Sequence, residues 1–444
     1  AGTPRNQGTG ECNPYQMMFN AAENGGTTEP YIADSPGDLK DKLGFVLDAI
    51  GGRAAAGSAA SVISATRGGE GAIYQAIFWP SIDGPQKPLS DELKHEVTWA
   101  GEVHSLLVDA YGKMFEDTDG DHALTSADKQ VVLYYDEDLG RSMVCYQELE
   151  DNGTCGIEPE ELNTVKYLWS AAEWLADIPD TAIATNRTSI GSDTKKRFIY
   201  TWNDLDNNGI VADSEMLPFE PRSDWNALSV TNRAPVPIDF GINPQSVDAS
   251  DQVNRIINWV RGLDDPDLRP REVPRPDNFD ITGSPATITW RLGDVVHSTP
   301  TAVSRPAEGY HHLYKDASYA EYFNTHQHRR HVVYFGGNDG MVHAINAGFY
   351  DDNTQAFRKN FDGENFSDTG GHELGAELWA YVPYNLLPHL KCLTETGYQH
   401  KYFVDLKPRI FDVQIFESSP NTLGHVKGWG TIMVIGMRFG GART

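Results

Sequence analysis

The stretch 331-HVVYFGGNDGMVHAINA-347 holds two short apolar runs on either side of a compact polar turn. Asn338, Asp339 and Gly340 form that turn, and such a sequence between two β-rich segments is typical of a tight hairpin. We interpret Asp339 as a turn residue rather than a catalyst, because aspartate is favoured in turns by its local hydrogen bonds. The stretch therefore predicts two antiparallel strands.

Further runs of the same kind follow one another through the part of the chain after Trp290. Each is short, rich in β-branched and aromatic residues and bounded by turn signals: VVHSTPTAV, ELWAYVPYNLL, YFVDL, RIFDVQIF and WGTIMVIGM. Strands of this length and spacing predict an all-β repeat domain over residues 290–444.

The preceding part of the chain has a different character. The run AIYQAIFWPSID predicts a strand over residues 72–83, and helical periodicity predicts helices over residues 35–52 and 160–178. Residues 36–220 are therefore predicted to form a mixed α+β domain. Residues 221–289 are rich in proline and charge and predict an extended linker, which contains one short amphipathic helix, QVNRIINWVRGL.

The run 204-DLDNNGIVADSE-215, called loop 2 below, has the spacing of a twelve-residue calcium loop. Such loops supply oxygen ligands from positions 1, 3, 5, 7 and 12 and turn sharply at a glycine in position 6, which is Gly209 here. The predicted ligands are Asp204, Asp206, Asn208, the backbone carbonyl of Ile210, and Glu215. The alternative is a solvated turn, but a plain turn needs no acid at position 12.

A second run, 117-DTDGDHALTSAD-128, called loop 1 below, repeats the pattern with two departures. Position 6 is His122 instead of glycine, and the closing acid is the shorter aspartate. The predicted ligands are Asp117, Asp119, Asp121, the backbone carbonyl of Ala123, and Asp128. Like charges crowded this closely repel unless a cation neutralises them, so two such runs in one chain support each other.

The residues before each loop favour strands over the helices of a helix–loop–helix sensor. Loop 2 follows KKRFIYTW, which is rich in aromatic and β-branched residues, and loop 1 follows GEVHSLLVDAYGKMF, whose end has a poor helical pattern. We therefore predict isolated calcium loops that brace connections between strands.

The charge of the chain limits its partners. Its 63 acidic residues against 36 basic ones give a net charge of -27. Nucleic acid and anionic membrane surfaces attract basic patches, so neither is an expected partner, whereas a calcium-containing medium outside the cytoplasm suits this charge. No apolar run is long enough to predict a membrane span.

Four cysteines bear on the compartment of the protein. Cys145 and Cys155 bracket a short segment and are predicted to form a local disulfide, with two reduced thiols near a turn as the alternative. Cys12 and Cys392 are too far apart in sequence to be paired from the pattern. The start at Ala1 has no signal-peptide pattern, and we interpret it as internal to a longer precursor.

Several of these segments carry a resemblance to a known family. In order, GDVVHSTP, VVYFGGNDGMVHAINA, ELWAYVPYNLLP, KYFVDLKPRIFDV and WGTIMVIGMRFGGAR resemble the opening blades of the C-terminal β-propeller of PilY-type proteins. Upstream, YQAIFWP, TWAGEVHSLLVD and FIYTW are similar to the family's segment between an N-terminal von Willebrand A domain and the propeller. The resemblance implies that residues 290–444 are an incomplete propeller, and that residues 1–35 are coil or the trailing edge of a missing von Willebrand A domain.

The resemblance also implies a function. PilY-type proteins are type IV pilus tip adhesins and pilus-biogenesis factors, so we expect a secreted protein, exported through the periplasm to the cell surface at the pilus tip. Expected partners are minor pilins of the tip complex and a host or abiotic surface, with calcium governing pilus extension and retraction. Loops 1 and 2 are predicted from their spacing alone, because the family's propeller calcium loop lies beyond the stretch that resembles it.

Two other functions are weighed against this expectation. Blades of this type are also similar to those of pyrroloquinoline-quinone dehydrogenases, but the chain has no adjacent cysteines and too few strands for a closed propeller. A purely structural scaffold stabilised by calcium is the other alternative. His326, His328 and His331 make a poor transition-metal pattern, and no common catalytic motif occurs in a suitable context, so no enzymatic activity is predicted.

Overall fold

The computed structural model describes residues 56–57, 71–83, 96–136, 141–150, 152–192, 194–204, 206, 208–209, 212–222, 237–418 and 425–441. The regular secondary structure of these residues is mostly β, with a few short helices. Residues 54–444 belong to one compact unit. The helix predicted over residues 35–52, the coil predicted over residues 1–35, and Cys12 lie outside the described residues.

The bounds of the strands and helices follow the chain. The strands are β1 (Ala56–Gly57), β2 (Ala72–Asp83), β3 (Glu96–Val108), β4 (Met114–Phe115), β5 (Gln130–Asp136), β6 (Arg141–Cys145), β7 (Trp169–Ser170), β8 (Ile199–Trp202), β9 (Met216–Pro218), β10 (Glu272–Pro274), β11 (Thr287–Thr289), β12 (Thr301–Val303), β13 (His331–Gly336), β14 (Val342–Asp351), β15 (Ala356–Arg358), β16 (Asn360–Phe361), β17 (Phe366–Ser367), β18 (Glu377–Val382), β19 (Arg409–Gln414) and β20 (Trp429–Val434). The α-helices are α1 (Ala171–Ala176), α2 (Asp180–Ile183), α3 (Ala249–Arg261), α4 (Tyr310–Leu313) and α5 (Ala317–Thr325). Short 3-10 helices occupy Leu162–Thr164, Asp213–Glu215, Pro237–Phe240, Tyr384–Thr394, Val426–Gly428 and Arg438–Gly441.

The first sheet has the order β1-β2-β3-β4-β5-β6, with β7 paired to β3, and its neighbours are antiparallel. The predicted strand over residues 72–83 is confirmed as β2. Successive side chains of a strand point to opposite faces, and β2 buries both faces. Ala72, Tyr74 and Ala76 join the largest core cluster, whereas Ile73 and Ile77 pack in a separate cluster.

The second sheet has the order β12-β13-β14-β18-β8-β9, with β15 paired to β14. The hairpin predicted over residues 331–347 is confirmed as β13 and β14. Strand β8 lies parallel to β18, whereas the other neighbours in this sheet are antiparallel. Neither of the two larger sheets closes on itself among the described strands.

The two sheets do not follow the predicted division of the chain. Strands β8 and β9 come from the region predicted as an α+β domain, yet they belong to the sheet of β13, β14 and β18. The largest core cluster also contains residues of both sheets, such as Val103 from β3 and Phe335 from β13. Among its described residues, the region expected to be α+β has two short α-helices, α1 and α2, and two 3-10 turns.

The helix predicted over residues 160–178 is wrong over most of its length. Trp169 and Ser170 pair with β3 instead, and only Ala171–Ala176 are α-helical, with the Ser170 side chain accepting a hydrogen bond from the Glu173 N–H at the N-cap. Pairing with a long buried strand has overridden the helical periodicity of the segment, since helix propensity is a weak determinant beside tertiary contacts.

The segment predicted as an extended linker also differs from the expectation. Its amphipathic helix is confirmed as α3, but the described residues after that helix are not an exposed connection. Strands β10 and β11 form a hairpin, and Val273, Phe279 and Ile281 are buried in the largest core cluster. The prolines of this segment therefore lie in a packed part of the fold, between buried residues. No helix in the part of the chain that the structure describes has the length and hydropathy needed to cross a bilayer.

A buried network of charged side chains connects strands of the second sheet. The Arg197 guanidinium donates to both carboxylate oxygens of Glu377 at 2.8 and 2.7 Å and to the Arg261 carbonyl at 2.7 Å, at the end of α3. His343 lies between Glu377, at 2.9 Å, and Asp339, at 3.2 Å. Burial alone would lower the pKa of His343, but the two neighbouring carboxylates raise it to about 9, so the imidazole is cationic at neutral pH.

Asp339 lies in the β13–β14 turn, as its interpretation as a turn residue required. Its carboxylate does more than shape the turn. It is buried, contacts His343, and accepts hydrogen bonds from the N–H groups of Gly293 and Met341, each at 3.2 Å. The turn is thereby fixed to the segment that follows β11.

We predict that Arg197→Met lowers the free energy of unfolding by about 3–5 kcal/mol, because it removes the guanidinium that contacts both oxygens of the buried Glu377 carboxylate and leaves only His343, which Glu377 shares with Asp339. The matched control is Arg255→Met. Arg255 pairs with Asp265 and Asp267 at 2.7 and 3.2 Å, but its side chain is 43% exposed, so its loss costs about 0–1 kcal/mol. Urea unfolding of both variants measures the difference, and equal costs would contradict a structural role for the buried pair.

Candidate metal sites

Both acidic loops connect the two strands of an antiparallel hairpin. Loop 1 joins β4 to β5, with Met114 opposite Val131, and loop 2 joins β8 to β9, with Trp202 opposite Met216. The prediction that strands rather than long helices flank the loops is therefore confirmed. Neither loop has the pair of helices that a calcium sensor moves apart when it binds the ion.

In loop 1, Asp117, Asp119 and Asp128 each offer a carboxylate oxygen, and the three oxygens lie within 4.8 Å of one another. Asp117 is 5% exposed, Asp128 is 9% exposed, and Asp119 is open to solvent. The backbone holds the two buried acids in place. Asp117 accepts from the N–H groups of Gly120 and His122 at 3.0 and 3.3 Å, and Asp128 from those of Thr118 and Thr125 at 2.9 and 2.7 Å.

The electrostatics of loop 1 favour a bound cation. Burial and the nearby charge of Asp128 raise the pKa of Asp117 to about 6, which means that the ionised form is destabilised in the protein alone. A divalent cation beside these oxygens would offset the cost of burial and the repulsion by Asp128, because an opposite charge at contact distance stabilises the ionised carboxylate.

The other two predicted ligands of loop 1 have different surroundings. Asp121 is exposed and lies outside the group of three, and its carboxylate accepts from the Ala123 N–H at 2.8 Å. Ala123 forms an isolated antiparallel bridge with Ala356, and the His122 carbonyl accepts from the Phe357 N–H at 2.9 Å. Loop 1 is therefore attached to β15, so it links the first sheet to a strand paired with the second.

In loop 2, oxygens of Asp204, Asp206 and Glu215 lie within 4.8 Å of one another. Glu215 is 3% exposed, Asp204 is half-buried and Asp206 is exposed. The Asn208 side-chain amide donates to Asp206 at 2.7 Å, and the Asn208 N–H donates to Asp204 and Asp206 at 3.1 Å each. Ile210, the predicted carbonyl ligand, lies outside the described residues.

The sixth position of each loop has the same left-handed backbone. Gly209 has φ of 74° and His122 has φ of 64°. A non-glycine residue is uncommon in this region, although histidine is among the types enriched there. The departure from glycine in loop 1 therefore leaves the turn conformation unchanged, at a conformational cost that Gly209 avoids in loop 2.

The predicted disulfide is present, whereas the three clustered histidines do not form a metal site within the described residues. Cys145, the last residue of β6, forms a disulfide with Cys155 across a Cα separation of 5.6 Å, and Cys392 is a half-buried free thiol. Within the described residues, loops 1 and 2 hold the groups of three or more acidic, histidine or cysteine ligand atoms. His331 instead begins β13, and His328 packs against Phe361 and Phe366.

Sequence reasoning missed the charged network of Arg197, Glu377 and His343, and it also missed two histidine–aspartate pairs. His297 lies 2.7 Å from Asp405, and His400 lies 2.9 Å from Asp294. In each pair the residues are separated by more than a hundred positions along the chain. Local spacing carries no signal for such pairs.

Parts of the chain are similar to curated type IV pilus proteins. Two proteins of Xylella fastidiosa (strain Temecula1 / ATCC 700964), each described as a type IV pilus biogenesis factor PilY1 homolog, are 29% identical to it over 159 and 155 residues. Each match covers 34% of this chain, and 8% and 10% of the respective relative. The type IV pilus biogenesis factor PilY1 of Pseudomonas aeruginosa (strain UCBPP-PA14) is 30% identical over 128 residues, 27% of this chain and 9% of that protein.

The matched part thus spans about a tenth of the length of these relatives. No protein-family model matches the chain, and no solved structure does. The chain is therefore related in part to PilY1-type proteins, over about a third of its residues.

We predict that Gly209→Ala destabilises the protein by about 1–2 kcal/mol, because an L side chain is disfavoured at positive φ. An added Cβ would meet nothing within 4 Å, so the cost is conformational. The control is Gly191→Ala, where the space is equally open and φ is not positive, and which we expect to be neutral or stabilising by up to about 1 kcal/mol. Thermal unfolding compares the two, and equal melting temperatures would count against the left-handed turn.

Proposed function

We propose that this chain is a calcium-binding segment of a PilY1-type pilus protein that works outside the cell at the tip of a type IV pilus. The observation that carries the proposal is the position of the two acidic groups. Each has three carboxylates within reach of one ion, and each lies in a connection between antiparallel strands. The partial similarity to PilY1-type proteins supplies the pilus context.

The donor chemistry of the loops supports calcium as the ion. Carboxylate, amide and carbonyl oxygens are hard ligands, and calcium accepts six to eight of them in a flexible geometry. Asp117, Asp119 and Asp128 would hold the ion in loop 1, and Asp204, Asp206 and Glu215 would hold it in loop 2. The remaining oxygens would come from backbone carbonyls and water. Magnesium demands a tighter octahedron and loses its water reluctantly, so it fits less well.

We propose a stiffening role for the ions instead of a catalytic one. An ion in loop 2 would fix the β8–β9 hairpin at the edge of the second sheet. An ion in loop 1 would fix the β4–β5 connection where it contacts β15 through Ala123 and His122. The bound ions would therefore rigidify a binding module, and no turnover is required of this segment.

The second sheet supports the finer proposal that the chain contains the opening of a β-propeller. Strands β12, β13, β14 and β18 form four consecutive antiparallel neighbours, which is the composition of one blade. In such an arrangement, minor pilins of the tip complex and a host or abiotic surface would be the partners of the whole protein.

Calcium is predicted to raise thermal stability, by an amount set by the ratio of free calcium to the dissociation constant. At a hundredfold excess over that constant, one site contributes about 2.7 kcal/mol. The double variant Asp204→Ala with Glu215→Ala should lose the contribution of loop 2 and keep that of loop 1. Differential scanning calorimetry with and without calcium measures both.

Magnesium at the same concentration is the ionic control. Equal protection by both ions would indicate diffuse charge screening and would contradict the specific sites. The full-length protein carrying the loop 2 variant tests the pilus context, since loss of pilus-dependent attachment is expected together with the loss of stability. Unchanged attachment would favour the alternative in which calcium only stabilises a structural scaffold. Quinone absorbance in the purified protein would favour the dehydrogenase alternative.

A further inference from the structure

A cleft of about 200 Å³ opens beside the β8–β9 hairpin, on the side of the second sheet that carries its aromatic residues. Phe198 and Tyr200 line it from β8 and the residue before it, and Met216 and Pro218 line it from β9. Met216 and Pro218 are exposed, and Met216 directly follows Glu215, the last residue of loop 2. The cleft is smaller than a drug-sized pocket and matches a ligand of about one small ring.

Two polar residues that line the cleft, Arg187 and Asn186, already use their side chains in hydrogen bonds within the protein. The Arg187 guanidinium donates to five backbone carbonyls, those of Ser189, Ile190, Lys196, Glu377 and Leu378. The Asn186 amide donates to the Ile199 carbonyl, and its oxygen accepts from Ile199 and Arg261. Neither side chain is free to recognise a ligand.

The polar groups that remain available are uncharged or charge-balanced. One Glu220 oxygen accepts from the Asn186 N–H, and its other oxygen has no hydrogen-bond partner among the described residues. Arg222 and Arg261 lie close enough to interact electrostatically with Glu220. Thr188 adds an exposed hydroxyl at the rim. The cleft therefore offers hydrogen-bonding groups without an uncompensated charge.

Aromatic rings continue from the cleft across the neighbouring strands of the second sheet. The ring of Tyr200 lies 5.3 Å from that of Tyr381 and 5.9 Å from that of Trp379, and Trp379 lies 5.8 Å from Tyr334. All four rings are half-buried. Within the described residues, the hydroxyls of Tyr200, Tyr334 and Tyr381 make no hydrogen bond to the protein, so each can bond to a ligand.

We propose that this cleft binds one pyranose ring of a neutral oligosaccharide, whose chain continues along the aromatic face. The apolar face of the sugar would stack on Tyr200, and its hydroxyls would bond to the free oxygen of Glu220, to Thr188 and to the Tyr200 hydroxyl. A charged ligand fits less well, because Glu220 is balanced by arginines and Arg187 is saturated. A second copy of this chain is disfavoured by the net charge of -27 on each.

None of the residues that line the cleft is a predicted ion ligand, so the cleft can bind a sugar whether or not loop 2 binds an ion. It adds a class of ligand to the proposed surface attachment without depending on it. Failure to bind sugar would leave the calcium sites untouched, and failure of the calcium sites would leave the cleft in place.

The test measures binding of four neutral disaccharides, maltose, cellobiose, lactose and N,N′-diacetylchitobiose, by saturation-transfer NMR. At least one is expected to bind, with a dissociation constant in the millimolar range. Tyr200→Ala should weaken that binding by about fivefold, since one aromatic contact is worth on the order of 1 kcal/mol. Tyr200→Phe, which keeps the ring, and Glu220→Gln should each weaken it by a smaller factor. These two variants keep nearly the original side-chain shape, so they test the proposal if Tyr200→Ala fails to fold.

Tyr111→Ala is the matched control, because Tyr111 is 89% exposed and lies away from the cleft, and it should bind as the unaltered protein does. Two charged probes, glucuronate and a tetralysine peptide, complete the set. No binding of any neutral disaccharide, equal binding by Tyr200→Ala, or tighter binding of either charged probe would overturn the proposal.

Discussion

The buried ion pair of Arg197 and Glu377 is the constraint on which the second sheet depends. Both side chains are 0% exposed, and a charge that far from water is tolerated only when its partner and its hydrogen bonds are in place. Arg197 precedes β8, Glu377 begins β18, and the guanidinium also holds the end of α3 through the Arg261 carbonyl. The pair therefore fixes β8 beside β18, and with it the hairpin that carries both loop 2 and the aromatic cleft.

The two acidic loops add a second constraint, because each holds three negatively charged carboxylates close together. In each loop, oxygens of three carboxylates lie within 4.8 Å of one another, and in loop 1 burial, together with repulsion by Asp128, raises the pKa of Asp117 to about 6. A cation bound there, as we propose, would relieve this repulsion. Because loop 1 also contacts β15, an ion in loop 1 would act at the junction between the two sheets.

Local patterns were enough to predict the elements whose contacts are local. The β13–β14 hairpin follows from its turn residues, β2 from its β-branched and aromatic run, and α3 from its helical period. Both loops were located from acid spacing alone, with the flanking strands correctly assigned. Even the left-handed backbone at position 6 is foreseeable for Gly209, although His122 adopts it without that signal in the sequence.

The features that escaped prediction depend on contacts between distant segments. Arg197 and Glu377 are 180 positions apart, and nothing near either residue indicates the other. The parallel pairing of β8 with β18 has the same origin, and it places strands from two predicted regions in one sheet. Trp169 and Ser170 were assigned to a helix because the period fits, but a long neighbouring strand was available to pair with them. The proline-rich segment hid core residues such as Phe279 for a similar reason.

We propose that each of the two hairpin loops binds one calcium ion. Calcium titration followed by calorimetry, on the intact chain and on variants that lack the acids of one loop, tests it most directly. We expect two ions per intact chain, one ion for Asp117→Ala with Asp128→Ala, and one ion for Asp204→Ala with Glu215→Ala. Absence of saturable binding at millimolar calcium, or the same stoichiometry in all three proteins, would contradict it.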